Sequence, residues 1–174
     1  MKKLIIALAF ILTSSVTFAQ QKIGYINSEE LISTMPEYKK YTADVEAYKK
    51  TFVDQLTTMQ KEMETKYKAY EATAKTTSDE IRQVKEKELS DLQARIQTFQ
   101  QTAEEKIAAK GQELLKPITE KADKAIQDVA KEKNYSYILD VSAGSIIYAL
   151  PSDNIIGEVK TKLGIKETAA LPKK

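Results

Sequence analysis

The sequence contains no cysteine and no histidine, and only five glycines among its 174 residues. Without cysteine there is no disulfide and no lipid-attachment site of a lipoprotein. Without histidine as well, the commonest general base, the commonest metal ligand and the thiol nucleophile are all missing. The few glycines form no phosphate-binding loop. We therefore predict that the protein is not an enzyme and has no catalytic residue, no cofactor and no metal site.

Long apolar runs are also missing, apart from one at the start of the chain. Residues 1–19 begin with Met-Lys-Lys, continue with an apolar stretch from Leu4 to Leu12, and end in Thr17-Phe18-Ala19. This order is typical of a secretory signal peptide, and the stretch is too short for a stable membrane anchor. We predict cleavage after Ala19 and export to the periplasm.

The sequence also lacks an excess of positive or negative charge. The chain has 27 basic and 25 acidic side chains, a formal charge of +2, and removal of Lys2 and Lys3 with the signal peptide brings it to zero. Nucleic acids and anionic membranes both favour partners rich in Lys and Arg. The balance therefore argues against either of them as the main partner.

What the sequence does contain is two long apolar stripes at the helical period of about 3.6 residues. The first comprises Tyr38, Tyr41, Val45, Tyr48, Phe52, Leu56, Met59, Met63, Tyr67 and Tyr70. The second comprises Ile81, Val84, Leu89, Leu92, Ile96, Phe99, Ala103, Ile107 and Leu114. When each residue of the first stripe is paired with the residue expected to face it in the second, the sum of the two residue numbers is nearly constant. A chain folded back on itself gives such a constant sum, so we predict an antiparallel helical hairpin. Stripes of similar period also match in shifted registers.

The ends of this hairpin, the arm over residues 36–116, are marked by polar residues and prolines. Residues 74–79 hold no large apolar side chain and form the predicted tip. Thr77 and Glu80 have the spacing of a capping box for the second helix. Pro36 suits the first turn of the first helix, whereas Pro117 ends or kinks the second.

Two flanking segments, residues 20–35 and 117–165, are brought together by the hairpin and form a discontinuous α+β base. Alternation predicts strands at 22–27, 135–140 and 145–149, the last two joined by a turn at 142–144. A helix is predicted over 118–133, and another from Ile155 to Leu163, capped by Asp153 and stopped by Gly164. The tail, residues 166–174, is expected to be disordered.

Such a base is too small to bury much surface alone, and its strand edges remain open. We therefore expect several copies to join. The candidate residues for this oligomer are Ile23, Tyr25, Tyr137, Ile138, Ile147 and Tyr148.

Tyrosine and methionine are unusually frequent on the arm. Packing within the hairpin accounts for most of them, but Tyr has an apolar body with a polar tip, and Met adapts to many shapes. Some are therefore candidates for contact with a partner. The candidate contact residues are Val53, Met59, Met63, Tyr67 and Tyr70.

The flanking segments also resemble a known family. KIGYINSEELISTMPEYKKY before the arm, KPITEKADKAIQDVAKEKNYSYILDVSAGSIIYA after it, and the final LGI are similar to the OmpH/Skp family of periplasmic chaperones. The resemblance covers Lys22 to Ile165. It implies a homotrimer shaped like a jellyfish, with strands of three subunits forming a barrel-like body and three hairpins around a cavity. Family members hold unfolded outer-membrane proteins in that cavity without ATP.

One feature departs from the family. Its best-known member is strongly basic, whereas residues 60–90 here carry seven basic and seven acidic side chains. This weakens the expectation of electrostatic capture and of lipopolysaccharide or membrane-surface binding. The partners we expect are unfolded outer-membrane or other exported proteins. The alternative is a structural coiled-coil scaffold or spacer of the cell envelope.

Overall fold

The computed structural model describes residues 21–144 and 146–165. The predicted signal peptide and the predicted disordered tail lie outside these residues. The described elements, in chain order, are β1 (Ile23–Ile26), α1 (Ser28–Thr34), α2 (Pro36–Thr73), α3 (Asp79–Glu132), β2 (Tyr137–Asp140), a 3-10 turn (Pro151–Asp153) and α4 (Ile156–Lys162). The predicted fold class, mostly α with a small β body, is confirmed.

The chain divides into two compact units. Residues 32–123 form the arm unit, and residues 21–31 with 124–165 are the described part of the base unit. No helix within the described residues combines the length and the apolar character that crossing a membrane requires.

In the arm unit, α2 and the arm part of α3 pack side by side in opposite directions. The rings of Phe52 and Phe99 lie with their centroids 5.9 Å apart. Nearer the turn, the Tyr70 hydroxyl donates a hydrogen bond of 2.5 Å to Oε1 of Glu86. These contacts confirm the antiparallel hairpin that the two stripes predict. Pro36 stands in the first turn of α2, also as predicted.

The turn between α2 and α3 differs in detail from the prediction. Helix α3 begins at Asp79, and the Arg82 N–H bonds the carbonyl of Ser78. Ser78 therefore takes the capping position predicted for Thr77, and the Glu80 carboxylate accepts a hydrogen bond from Ser78 instead. The shift by one residue arises because the carbonyl of Thr73 already accepts the Thr76 and Thr77 N–H groups.

Pro117 does not end the second helix of the arm. Helix α3 continues through Pro117 to Glu132. A proline ring removes one backbone hydrogen bond and crowds the preceding turn. Ile118 and Ala122, which follow Pro117 in the helix, are buried, and burial of one face favours continuation of a helix.

In the base unit, β1 and β2 form a parallel pair, with Ile23 opposite Tyr137 and Ile26 opposite Asp140. Helix α1 was not predicted. It begins where the Asn27 side chain accepts a hydrogen bond from the Glu30 N–H at 2.9 Å, a capping signal that the Asn-Ser-Glu-Glu sequence contains. The buried apolar residues of this unit are Ile26, Leu31, Ala125, Val129, Ile155 and Val159.

Gly24 lies at the most crowded point of the strand pair. A Cβ atom at this position would come within 2.9 Å of Cε1 of Tyr135, 3.0 Å of Cγ2 of Ile155 and 3.1 Å of Cδ1 of Ile138. Glycine therefore allows β1 to approach its neighbours closely.

Two predictions for the base are wrong. Residues 146–149 do not form a strand, although a turn at Val141–Gly144 is present, and β2 pairs with β1 instead of with this segment. Asp153 does not cap the last helix. The Asn154 side chain accepts the Ile156 N–H at 3.0 Å, since Asp153 is occupied in the 3-10 turn.

Candidate functional site

The base unit has an apolar surface that its own core leaves uncovered. The exposed fractions are 46% for Ile23, 57% for Tyr137, 43% for Leu139, 102% for Ile147, 79% for Tyr148 and 52% for Leu150. Four predicted oligomer residues belong to this surface, which we call the base patch. The other two, Tyr25 and Ile138, are half-buried. Leu139 and Leu150 were missed, although the former stands in a predicted strand.

Tyr137 and Leu139 of the base patch lie on a strand with an open edge. β2 pairs with β1 on one side and has no second neighbouring strand among the described residues. An unpaired edge presents backbone N–H and C=O groups that another strand can join. Apolar exposure and an open edge thus occur in the same part of this unit.

The five predicted contact residues of the arm are only partly available. Val53 is 49% exposed and Tyr67 is 51% exposed. Met59, Met63 and Tyr70 are half-buried in the hairpin. The hydrogen bond to Glu86 raises the pKa of the Tyr70 phenol, so this hydroxyl keeps its proton and remains a donor to the neighbouring helix.

Two residues assigned to the helix–helix contact by their spacing are exposed instead. Ile81 is 53% exposed and Val84 is 67% exposed. Near the turn, Lys85 takes the inward position, and its ammonium donates a 2.9 Å hydrogen bond to the Thr73 hydroxyl. The inward face of α3 continues from Lys85 through Leu89 and Leu92, which follow the helical spacing. The outward position of Val84 could therefore be recognised only once Lys85 was known to face inward.

Among the grooves between the helices of the arm, two differ sharply in character. The charged groove is lined by Glu62, Lys66, Val84, Lys87, Glu88, Asp91, Leu92 and Arg95. The mid-arm groove is lined by Lys49, Phe52, Val53, Leu56, Phe99, Gln100, Ala103, Glu104 and Ile107. Six of the nine residues of the mid-arm groove are apolar, whereas six of the eight in the charged groove are ionisable.

The charges of the charged groove are largely paired with each other. Lys66 contacts Glu88 across the two helices, and Lys87 bonds Asp91 at 2.8 Å along α3. The hydrogen bond with Glu88 raises the pKa of Lys66 above its usual value, so Lys66 stays charged at neutral pH. The groove therefore offers little unpaired charge to a partner.

Near the start of α2, the arm has another cross-helix ion pair. Lys121 bonds the carboxylate of Glu37, and this hydrogen bond is the main reason that the pKa of Glu37 lies below its usual value. Exposed pairs of this kind each contribute little to stability, on the order of 0–1 kcal/mol.

No candidate metal-binding site is found among the residues that the structure describes. No group of three or more acidic side chains there is close enough to hold a metal ion. The candidate functional surfaces are the base patch and the mid-arm groove, whose apolar side chains are suited to binding other polypeptides.

Comparisons with known proteins find a matching family and a similar crystal structure. The family model for OmpH-like outer membrane proteins matches residues 22–163. A crystal structure from Caulobacter crescentus CB15, of a protein assigned as an OmpH-like outer membrane chaperone, has the same fold with a TM-score of 0.71. The two chains are 18% identical, and the alignment covers 90% of this chain and 92% of the other. A search of curated proteins finds no match.

Proposed function

The chain belongs to the OmpH-like family of outer membrane proteins, and from that premise we propose that it is a periplasmic chaperone. OmpH-like proteins are chaperones and not enzymes, so family membership supports this role in its general form. The finer proposal is a holdase that binds unfolded outer-membrane or other exported proteins without ATP and keeps them from aggregating.

The observation that carries the proposal is the mid-arm groove. Phe52, Leu56 and Phe99 line it, and the two helices bury them only in part. Partly exposed apolar side chains on a helix pair suit weak contacts with the apolar segments of an unfolded chain. Several such contacts add up when they surround one client.

We propose further that the working form is a homotrimer assembled through the base patch. The residues that favour this are the exposed Ile147 and Tyr148 together with the open edge of β2. Burial of a large apolar surface against other copies would lower the free energy, and a strand added at the edge would satisfy its backbone groups. Residues 20–35 with 117–165 would then form the trimeric base and 36–116 the arms.

Apolar contact rather than net charge would retain the client. The mature chain is neutral, and the ion pairs of the charged groove are satisfied internally. We therefore do not propose lipopolysaccharide or a membrane surface as a partner. Export to the periplasm, with cleavage after Ala19, is part of the proposal.

The experiment is dilution of a urea-unfolded outer-membrane protein into buffer with and without the mature chain, followed by light scattering. We expect suppression of aggregation without ATP, at molar ratios near one trimer per client. Because screening acts on exposed charges, we also expect little loss between low and moderate salt. A steep loss with salt would mean that charge drives capture, and no suppression at any ratio would favour the scaffold alternative.

A further inference from the structure

The mid-arm groove has an apolar floor between two polar rims. Phe52 and Leu56 of α2 face Phe99 and Ala103 of α3 in this floor. Ala103 is only 7% exposed, so its small side chain lies at the bottom of the groove between larger neighbours. Val53 stands at the edge of the floor and is 49% exposed.

The rims supply hydrogen-bonding groups of both kinds. Lys49 on the α2 side is a donor, Glu104 on the α3 side is an acceptor, and the amide of Gln100 is both. The side chains of Gln100 and Glu104 make no hydrogen bond or ion pair with any residue that the structure describes. They are therefore available to an occupant, and the mixture of one cation and one anion favours an uncharged occupant.

The spacing along α3 matches an extended polypeptide. Phe99, Ala103 and Ile107 are separated by four residues each, as are Gln100 and Glu104, and four helical residues rise about 6 Å. In an extended strand, every second residue recurs after about 6.6 Å and points to the same side. Alternate side chains of such a strand can therefore contact successive floor residues, while its backbone lies near the rim groups.

From this match we propose that the mid-arm groove binds extended client segments in which apolar and polar residues alternate. The apolar side chains enter the floor, and Gln100 and Glu104 bond the backbone of the segment. The strands of outer-membrane barrels have this alternating pattern. The inference deepens the proposed holdase function and rests on it.

The charged groove of the same arm provides a matched control. Val84 lines that groove and is 67% exposed, whereas Val53 lines the mid-arm groove. Replacement of either valine by lysine changes the same side chain in an exposed helical position. Lysine favours helix slightly more than valine does, so both variants should fold. Circular dichroism checks that their helix content equals that of the unmodified chain.

The binding test uses two fluorescent twelve-residue peptides of identical composition with the mature chain. In one peptide leucine and serine alternate. In the other, the same residues are rearranged so that the leucines recur at the helical period of about 3.6 residues. Fluorescence anisotropy should show about tenfold tighter binding of the alternating peptide. Val53→Lys should weaken that binding about fivefold, and Val84→Lys should leave it unchanged. Gln100→Ala should weaken it to a smaller extent.

Three outcomes would overturn the inference: equal binding of both peptides, equal effects of Val53→Lys and Val84→Lys, or occupation of the groove by a second copy of the chain. The last is detected by a photo-crosslinker at position 53 that joins two chains when no peptide is present.

The same variants are then tested with the urea-unfolded outer-membrane protein. If the unmodified chain and Val53→Lys hold it equally well, the groove inference fails while the proposed function stands. If the unmodified chain holds none, the proposed function fails.

Discussion

The rings of Phe52 and Phe99 face each other across the arm, with centroids 5.9 Å apart and planes inclined by 41°. Their contact fixes the register of α2 against α3 at mid-arm. On the tip side of it, Lys66 and Glu88 form a second cross-helix contact. The two contacts bracket residues 56–62 of one helix and 90–96 of the other.

This bracket makes the register testable by deletion. Removal of both segments takes seven residues from each helix, shortens the arm by about 10 Å and keeps the flanking faces nearly in phase. The Phe52–Phe99 and Lys66–Glu88 contacts can then both re-form. Removal of only one segment makes the two contacts incompatible. Urea denaturation should therefore show a clearly larger loss of stability for either single deletion than for the paired deletion. Equal losses would contradict the register.

Glycine positions should respond to alanine in opposite directions. Gly24→Ala places a methyl group 2.9 Å from the Tyr135 ring, and we expect overpacking to cost about 1–3 kcal/mol. Gly111→Ala adds a methyl group in the middle of α3, 3.7 Å from the Tyr41 hydroxyl, and should stabilise the helix by up to about 1 kcal/mol. Thermal unfolding followed by circular dichroism measures both changes. A neutral Gly24→Ala variant would show that β1 is not confined as described.

Asp140 should make the base sensitive to acid. Its carboxylate accepts hydrogen bonds from the Ser28 N–H at 3.2 Å, from the Ser142 N–H at 3.0 Å and from the Ser28 hydroxyl. Partial burial alone would raise the pKa of Asp140, but these bonds outweigh it and hold the pKa below its ordinary value of 3.8. The folded pKa thus lies below the unfolded one. The stabilisation is present above the unfolded pKa and is lost as the pH falls through the folded pKa.

We therefore expect the unmodified chain to lose more stability between about pH 5 and pH 3 than Asp140→Asn loses. Ser28→Ala removes a donor to the carboxylate and should reduce the acid sensitivity in the same direction. Urea midpoints at several pH values provide the measurement. Parallel pH profiles for all three proteins would show that Asp140 does not contribute through its charge.

The base patch is tested by a charge placed in it. Ile147 is 102% exposed, so Ile147→Asp should leave the fold of one chain intact while it disrupts apolar contact with other copies. Ile81→Asp introduces the same change on the arm, where the side chain is 53% exposed. Light scattering should give about three times the protomer mass for the unmodified chain and for Ile81→Asp, and a smaller mass for Ile147→Asp. A trimer that survives Ile147→Asp would exclude this residue from the interface.

Prediction from the sequence succeeded where the structure depends on the periodic spacing of apolar residues. The two stripes of the arm predict helices and their antiparallel contact because the apolar positions recur every 3.6 residues over many turns. Pro36 at the start of α2 and Gly164 after α4, with φ of +71°, were also recognised, because a proline or a glycine at a helix end acts through its own backbone.

The side chains that face inward near the turn of the hairpin were predicted less well. Val53 and Tyr67 are about half exposed, but Ile81 and Val84 were assigned to the helix–helix contact although they face outward. Period alone does not show which of several neighbouring residues turns inward at the end of a hairpin. That choice depends on the contact between Lys85 and Thr73, which are on different helices.

By itself, the sequence determined the helical hairpin, the balanced charge and the lack of thiol and imidazole chemistry, because composition and short-range spacing are sufficient for these. Only the tertiary structure decided that β1 pairs in parallel with β2, that residues 146–149 remain outside the sheet, and that the mid-arm groove is apolar while the charged groove is not. These features depend on contacts between residues far apart in the chain, such as Ile23 with Tyr137. Their free energy comes from packing and hydrogen bonds that form only when the whole chain has folded, and no local pattern encodes it.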